Sequence, residues 1–313
     1  MRTLVIGAGA VGGYFGGRLA QAGRDVTFLV RPRRASELRQ NGLTILSPLG
    51  DWRLAAPQLA TAEDLGGTYD LILLSCKAYD LESAMESFTA AVGPETAILP
   101  LLNGMKHIDA LSASFGAEKV LGGLCMISAT LSSGGVISHL NTMHGLTFGD
   151  LGGVHSPRVA AVAKLFEGVG FDGRESASVR QEMWEKWIFI AALAGVTCLM
   201  RASIGDIAAA GASDLAAGLF DECASIAGAN GFPPSQGHIE RTRETLTQAG
   251  SPITASMLRD IEVGGRIEAD QILGDLLHRA NGKAAERLLL RIAYAHAKAY
   301  EARRLREAPI PPA

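Results

Sequence analysis

Three glycines near the start of the chain have the spacing of a phosphate-binding turn. Gly7, Gly9 and Gly12 follow an apolar run at residues 4–6, which predicts a buried strand, and precede a helical pattern. This G-x-G-x-x-G spacing permits a tight turn, lets backbone N–H groups approach a pyrophosphate, and lets helix and strand pack closely. The predicted cofactor-binding turn therefore consists of Gly7, Ala8, Gly9, Ala10, Val11 and Gly12.

Basic side chains stand where the second predicted strand ends. An NAD site commonly has Asp or Glu at this point to hold the ribose hydroxyls, but residues 31–34 read Arg-Pro-Arg-Arg. A guanidinium can hold the additional 2′-phosphate of NADP through two hydrogen bonds. We therefore expect Arg31 to contact phosphate and NADP (NADPH) to be the cofactor. For Arg33 and Arg34, the alternative is an exposed basic loop that opens the next helix.

Length and composition limit the classes of protein to which this chain can belong. At 313 residues, 48% of them hydrophobic and 19% charged, the chain has the size of two globular domains. A net charge of −3, without a stripe of Lys and Arg, argues against nucleic acid as a partner and against a polybasic membrane anchor. We expect a small molecule to be the partner.

The cysteines and the apolar segments indicate a compartment. The four cysteines are scattered through apolar segments without a C-x-x-C pair, which favours reduced core residues over disulfides or zinc ligands. The first strand leaves no room for a signal peptide, so we expect a cytoplasmic protein. Residues 187–200 are apolar but too few to span a bilayer, which favours a buried core helix and no membrane association.

The order of the predicted elements indicates two domains. Apolar strands at residues 69–76, 96–102 and 120–124 alternate with helices, which predicts a parallel sheet covered on both faces, and residues 126–148 are expected to close it with antiparallel strands. The fold class is α/β: an N-terminal Rossmann-type NADP-binding domain (1–175) and an all-α C-terminal domain (176–313). The later helices are predicted at residues 181–200, 213–229, 236–246, 255–279 and 286–306, and the prolines at 309, 311 and 312 predict a frayed tail.

Five short motifs carry a resemblance to a known family. They are G-A-G-A-V-G-G-Y-F-G (7–16), S-C-K-A-Y-D (75–80), L-L-N-G-M (101–105), M-W-E-K-W (183–187) and S-M-L-R-D-I-E (256–262) followed by E-A-D (268–270). In this order and spacing, the chain resembles the ketopantoate reductase family over essentially its full length. The resemblance implies NADPH-dependent reduction of a 2-oxo acid, 2-dehydropantoate to (R)-pantoate, as in pantothenate biosynthesis.

The resemblance also assigns roles to side chains. It makes Lys186 the general acid that protonates the carbonyl oxygen as hydride arrives, and an ammonium also stabilises the developing alkoxide. It places Lys77 and Asn103 beside cofactor and substrate, at the ends of parallel strands where ligands bind in open α/β sheets. It makes Ser256 a ligand of the substrate carboxylate and puts Glu268 near Lys186 and the new hydroxyl.

Each assignment has a structural alternative. Lys186 could be an ordinary cation ahead of an apolar helical segment, and Glu268 a solvent-facing helix residue. Lys77 could be solvated at the end of its strand, and Asn103 before Gly104 is a common turn pair.

The spacing of Ser256 and Glu268 sets a geometric condition. On one straight helix they would stand about 18 Å apart along the axis, too far for both to touch one small acid. Gly264 and Gly265 lie between them. We therefore predict a break in the helix that lets the two ends converge.

Three positions depart from the family pattern. Ile190, Ala194 and Ile253 stand where the family usually has asparagine, although Thr254 could substitute in part for the last. Losing hydrogen-bond partners at about 1 kcal/mol each would weaken ketopantoate binding. A paralogue that reduces a more apolar or bulkier 2-oxo acid is therefore the main alternative.

Other functions also fit these sequence features. β-Hydroxyacid and glycerol-3-phosphate dehydrogenases share the two-domain layout, and a non-catalytic NADP(H) redox sensor is a further possibility. We expect no metal site, since His139 and His144 have the wrong spacing for one strand face and lack a carboxylate or cysteine cluster. The sequence allows a monomer or a homodimer, and we expect closure of a cleft between the domains around the substrate.

Overall fold

The computed structural model describes residues 1–307, which divide into two compact units. The first unit comprises Met1–Leu102 and His107–Arg180, and the second comprises Asn103–Lys106 and the chain from Gln181 onward. The proline-rich tail, which the sequence predicts to be frayed, lies outside the described residues.

The elements of the first part of the chain alternate between strands and helices. In order they are β1 (Thr3–Ile6), α1 (Ala10–Gln21), β2 (Val26–Leu29), α2 (Pro32–Asn41), β3 (Leu43–Leu46), β4 (Trp52–Leu54), β5 (Gln58–Ala60), β6 (Tyr69–Leu74), α3 (Leu81–Phe88), β7 (Val92–Pro100), α4 (Lys106–Phe115), β8 (Leu121–Leu131), β9 (Val136–Asp150), α5 (Pro157–Leu165) and β10 (Asp172–Glu175).

A five-stranded parallel sheet forms one layer of the first unit. Its strand order is β5-β2-β1-β6-β7, and every neighbouring pair is parallel. The strands β1 and β6 are apolar and almost fully buried, as expected for strands that helices cover on both faces. Because the strands are parallel, the segments after β1, β2 and β6 leave the same edge of the sheet. This arrangement confirms the Rossmann-type prediction.

A second sheet, with strand order β10-β9-β3-β4, stands beside the first, and β8 pairs with β9. The long β8–β9 hairpin is antiparallel, as predicted for residues 126–148. The prediction that residues 120–124 form a further strand of the parallel sheet was wrong. Val120 makes only a single parallel bridge to Ile98, and from Leu121 onward the strand pairs with β9, which takes the chain into the second sheet.

Helix α1 packs between the two sheets, and its glycines allow the close approach. A Cβ atom at Gly16 would collide with Val5 and Phe28 of the parallel sheet. On the other side of the helix, a Cβ atom at Gly13 or Gly17 would collide with the second sheet. The glycine-rich sequence of α1 therefore reflects packing on two faces as well as the phosphate-binding turn.

The second unit is helical. Its elements are α6 (Val179–Met200), α7 (Ile204–Ala209), α8 (Ser213–Ala229), α9 (Gln236–Thr247), α10 (Ser256–Glu262), a π-helical turn (Asp270–Gly274), α11 (Asp275–His278) and α12 (Leu288–Glu307). The short helix α7 was not predicted. Its N-cap is Ser203, whose side chain forms a capping box with that of Asp206.

Helix α6 is the most apolar segment of the chain. Its 22 residues are enough, by length and composition, to cross a membrane, which the count of residues 187–200 alone did not indicate. However, 67% of its apolar window is buried inside the structure. Helix α6 is therefore buried to the extent that is typical of a core helix.

Two histidines that the sequence placed on opposite strand faces lie side by side. His139 pairs with Ala129 and His144 with Ile127, so β9 bulges between them and brings both rings together, with 5.9 Å between centroids. The hydroxyl of Tyr14 on α1 shares a hydrogen bond of 2.9 Å with Nδ1 of His144. The expectation of opposite faces failed because strand periodicity does not anticipate a bulge.

Burial of His144 makes the stability of the fold depend on pH. Burial lowers the pKa of His144 below its ordinary 6.5, although Asp172, 4.0 Å away, acts in the opposite direction. The unfolded chain therefore binds more protons than the folded chain as the pH falls below that value, so stability is lost on the acid side.

We predict that the free energy of unfolding, measured with urea, falls between about pH 7.5 and about pH 5.5, and that His144→Asn makes this fall shallower. Burial also lowers the pKa of His238 and His296, so part of the fall should remain in the variant. An equal fall in both proteins would show that His144 does not contribute.

Candidate active site

The glycine turn after β1 is closely packed at one end and open at the other. Gly7 has a φ of 88°, a backbone conformation that favours glycine. A Cβ atom at Gly12 would overlap with the Gly7 carbonyl and with the Ser75 side chain, whereas one at Gly9 would meet nothing within 4 Å. The turn thus leaves open space in front of Gly9.

Ser75 holds this turn from the neighbouring strand. It follows β6, and its hydroxyl donates to the carbonyl of Ile6 at the end of β1, at 2.9 Å. Ser75 belongs to the S-C-K-A-Y-D motif, but no role was predicted for it. A small polar residue directly after a buried strand that neighbours the glycine turn was the available signal.

The first turn of α1 suits an anion. Gly9 is its N-cap and provides no side-chain cap, and the first turn contains no acidic residue. The N-terminal amides and the positive end of the helix dipole favour negative charge at this point. Together with the open space at Gly9, these residues fit the pyrophosphate of a dinucleotide.

The three arginines that follow β2 have different surroundings. Arg31 is 72% exposed and its Nη2 lies 3.2 Å from Oδ1 of Asp80. Arg33 is exposed and pairs with Glu37 at 3.2 Å. Arg33 is therefore exposed, as the expectation of an exposed basic loop has it, but it lies in the first turn of α2 and not in a loop.

Arg34 does not fit that expectation. Its side chain is only 16% exposed, and Nη2 donates to the carbonyl of Ala8, at 3.2 Å, and to that of Gly135, at 3.1 Å. Arg34 thus connects the glycine turn to the β8–β9 turn. A sequence pattern cannot distinguish such a buried arginine from an exposed neighbour.

Lys77 is exposed and begins the short 3-10 turn Ala78–Asp80 after β6. Since β6 lies next to β1 in the parallel sheet, Lys77 lies at the same edge of the sheet as the glycine turn. Asn103 follows β7 within the segment Asn103–Lys106, which belongs to the second unit.

Lys186 is half-buried on α6, and the residues around it are anchored. Trp184 stacks on Phe232, with 5.4 Å between ring centroids. Oε1 of Glu185 accepts a hydrogen bond of 2.8 Å from the backbone N–H of Ser235, the N-cap of α9. Trp187 is 1% exposed and its indole N–H donates to the carbonyl of Ile272 at 3.0 Å. These contacts fix the orientation of the helical turn that carries Lys186.

The predicted break between Ser256 and Glu268 is present. Helix α10 ends at Glu262, Gly264 has a φ of 69°, and helical structure resumes only at Ala269. Two side chains of α12 hold the break. The Tyr300 hydroxyl donates to the carbonyl of Gly265 and Nε of Arg304 to that of Gly264, both at 2.8 Å.

Glu268 lies two residues before the start of the π-helical turn and is half-buried. Asp270, two residues later, accepts hydrogen bonds from Tyr294 at 2.6 Å and Lys298 at 2.9 Å. Partial burial acts to raise the pKa of Asp270, but these two hydrogen bonds hold it below its ordinary value. Burial and the Asp270 carboxylate raise the pKa of Tyr294 to about 12. Helix α12 therefore anchors both ends of the segment that carries Glu268.

The π-helical turn connects three of the predicted site segments. Gln271, which is 5% exposed, donates from Nε2 to the carbonyl of Asn103 at 2.7 Å. The next residue, Ile272, accepts the indole hydrogen bond from Trp187. The segments of Asn103, Lys186 and Glu268 are thus joined within the second unit. Ser256 is exposed at the first position of α10.

The positions that depart from the family pattern have different environments. Ala194 is 1% exposed and Ile190 is half-buried, both on α6 downstream of Lys186. Ile253 is 37% exposed in the segment before α10. The apolar residues on α6 thus continue the face of the helix that begins near Lys186.

Two family descriptions match most of the chain. Residues 3–153 match "Ketopantoate reductase PanE/ApbA" and residues 178–301 match "Ketopantoate reductase PanE/ApbA C terminal". The chain belongs to the ketopantoate reductase family. The resemblance that the sequence motifs indicated is thereby confirmed.

Individual relatives agree with this assignment. The uncharacterized oxidoreductase YkpB of Bacillus subtilis (strain 168) is 37% identical over 303 residues, which cover 96% of this chain and 99% of the relative. A 2-dehydropantoate 2-reductase of Halobacterium salinarum is 28% identical over 285 residues, 90% of this chain and 92% of the relative. The crystal structure of 2-dehydropantoate 2-reductase from Geobacter metallireducens GS-15 superimposes with a TM-score of 0.86 at 26% identity, over 96% of this chain and 99% of the other.

The family uses NAD(P)H and its members act on small-molecule substrates, and membership supports an oxidoreductase of this family. The fold agrees, with a Rossmann-type first unit and a helical second unit.

Because Gly9 and Gly12 have different surroundings, we predict that substitution of Gly9 affects dinucleotide binding without affecting the stability of the fold. Gly9→Ala should leave the free energy of unfolding within about 0.5 kcal/mol of the parent, since the new methyl group meets no protein atom. It should nevertheless weaken dinucleotide binding at least about tenfold, because the methyl group occupies the approach of the pyrophosphate. Fluorescence titration and urea unfolding measure the two effects.

Gly12→Ala is the matched variant. It should lower both the free energy of unfolding and the affinity for the dinucleotide, because its methyl group overlaps with the Gly7 backbone. Unchanged dinucleotide affinity in Gly9→Ala would place the pyrophosphate elsewhere.

Trp187 provides a second prediction. Trp187→Phe should lower the free energy of unfolding by about 1–3 kcal/mol, because it leaves the buried carbonyl of Ile272 without its indole donor. Trp184→Phe removes a similar volume from the same helix without affecting that carbonyl and serves as the control. Equal losses in the two variants would mean that volume, and not the hydrogen bond, accounts for the effect.

Proposed function

We propose that this protein is an NADPH-dependent reductase of a 2-oxo acid, with 2-dehydropantoate, reduced to (R)-pantoate, as the first candidate substrate. The observation that supports this most directly is the connection of Lys186, Asn103 and Glu268 through the π-helical turn, by the contacts of Trp187 and Gln271. With this substrate, the protein would act in pantothenate biosynthesis in the cytoplasm, as a monomer or homodimer.

Each residue has a stated task in this proposal. A bound NADPH supplies the hydride for the 2-oxo carbon. The Lys186 ammonium donates a proton to the carbonyl oxygen and stabilises the negative charge that develops there. Glu268 accepts a hydrogen bond from the new hydroxyl. Ser256 binds the substrate carboxylate, and Asn103 orients the substrate beside the cofactor.

The cofactor assignment rests on the first unit. The turn at residues 7–12 would hold the pyrophosphate, and Lys77 would add a cation at the same edge of the sheet. Arg31 is the candidate for the 2′-phosphate because its guanidinium is exposed at the end of β2. Arg34 is already engaged by backbone carbonyls of the protein.

A more apolar 2-oxo acid is the second candidate substrate. Ile190 and Ala194 have apolar side chains where the family pattern has asparagine. Each asparagine side chain that is missing removes a hydrogen-bond partner for a polar group of the substrate. A substrate with an alkyl or aryl group in place of the hydroxyl of ketopantoate would not need those partners.

A panel of 2-oxo acids tests the proposal. NADPH absorbance should fall with 2-dehydropantoate or with apolar acids such as branched-chain and aryl 2-oxo acids, and the ratio of kcat/KM values ranks the two candidates. Tight NADPH binding without oxidation across the whole panel would favour a redox sensor over an enzyme.

Lys186→Ala should lower kcat at least about a hundredfold with the preferred acid, because general-acid catalysis contributes about 10²–10⁴-fold. Its dissociation constant for NADPH should stay within about twofold of the parent, since the proposed role lies in proton transfer. A kcat close to that of the parent protein would remove Lys186 from the mechanism.

A further inference from the structure

We propose that Asp80 determines how strongly this protein prefers NADPH to NADH, by competing with the 2′-phosphate for the guanidinium of Arg31. The inference rests on the proposed cofactor site. It adds a residue that acts against the phosphorylated dinucleotide to the residues proposed to favour it.

The topology brings the two residues together. Arg31 follows β2 and Asp80 follows β6, the two strands that flank β1 in the parallel sheet. Their side chains meet at 3.2 Å between Nη2 and Oδ1. The ion pair therefore spans the edge of the sheet from which the glycine turn of β1 departs. This is the edge at which dinucleotides bind in open α/β sheets.

The partner of Arg31 is chemically close to the group that Arg31 is expected to bind. Carboxylates and phosphates both accept hydrogen bonds from the same fork of guanidinium N–H groups. A 2′-phosphate that engages Arg31 must therefore displace the Asp80 carboxylate or share the guanidinium with it. NADH has no such group and leaves the pair intact.

The exposure of the pair sets the size of the effect. Arg31 is 72% and Asp80 28% exposed, so the pair is displaceable, as surface ion pairs are. The backbone of Asp80 is nevertheless fixed. Its N–H donates to the carbonyl of Lys77 at 2.9 Å, and its carbonyl accepts from the Ser83 hydroxyl at 3.1 Å. The carboxylate is thus presented to Arg31 from an anchored position.

Asp80 pairs with Arg31, whereas the two neighbouring arginines pair with Glu37. Glu37 pairs with both Arg33 and Arg34, and Arg34 is further held by carbonyls. Competition for Arg31 therefore acts directly on the contact that distinguishes NADPH from NADH.

The experiment measures dissociation constants of NADPH and NADH by fluorescence titration, without any 2-oxo acid. In Asp80→Asn, the ratio of the NADH to the NADPH constant should rise about two- to fivefold, the range expected for release of one exposed ion pair. Asparagine is isosteric and a good N-cap residue for α3, so the variant should fold. Glu82→Gln removes a like charge two residues away and should leave the ratio unchanged.

A double-mutant cycle tests whether Asp80 acts through Arg31. In the Arg31→Ala background, Asp80→Asn should no longer raise the ratio. An unchanged or lower ratio in Asp80→Asn, or the same rise in both backgrounds, would overturn the inference. Failure of the cofactor proposal has a separate signature, namely that Arg31→Ala alone leaves NADPH binding unaffected.

Discussion

The close packing of α1 against the ends of β1 and β6 is the constraint on which the first unit depends. At Gly12 there is no room for a side chain, because the Gly7 carbonyl and the Ser75 side chain occupy that space. Ser75 in turn ties β6 to β1 through the carbonyl of Ile6. This packing aims the amides of α1 into the open space in front of Gly9. The anion-binding property of the helix terminus therefore follows from packing that excludes every residue but glycine at position 12.

In the second unit, hydrogen bonds from side chains to backbone carbonyls hold the irregular segments in place, as close packing does in the first unit. A break after α10 and a π-helical turn both leave carbonyls without their usual helical donors. Tyr300 and Arg304 supply donors to the break, and Trp187 supplies one to the π-helical turn. The irregular backbone around Glu268 is therefore stabilised by side chains from two other helices. Such irregularity is common at functional sites, where regular helix geometry cannot bring the required groups together.

Sequence patterns predicted the features that depend on local chemistry. The glycine turn and the order of strands and helices around it follow from residue types at fixed spacing. The break at Gly264 was predicted because Ser256 and Glu268, in the roles that the family resemblance gives them, would stand too far apart on one straight helix. The errors arose where distant contacts decide the outcome. The strand at residues 120–124 is equally apolar in either sheet, and only its pairing with β9 assigns it to the second. Arg33 and Arg34 look alike in the sequence, yet only Arg34 has carbonyls of Ala8 and Gly135 within reach.

The two groups of contacts suggest why reaction type and substrate can diverge in such a chain. Trp187 and Gln271, which connect the segments of Lys186, Asn103 and Glu268, both donate to backbone carbonyls, so this connection does not depend on the side chains further along α6. Ile190 and Ala194 take no part in these contacts and lie one and two turns further along α6. Their side chains can change without disturbing the carbonyl bonds of Trp187 or Gln271. Polar-to-apolar replacement at those two positions is therefore compatible with an intact connection between the segments of Lys186, Asn103 and Glu268.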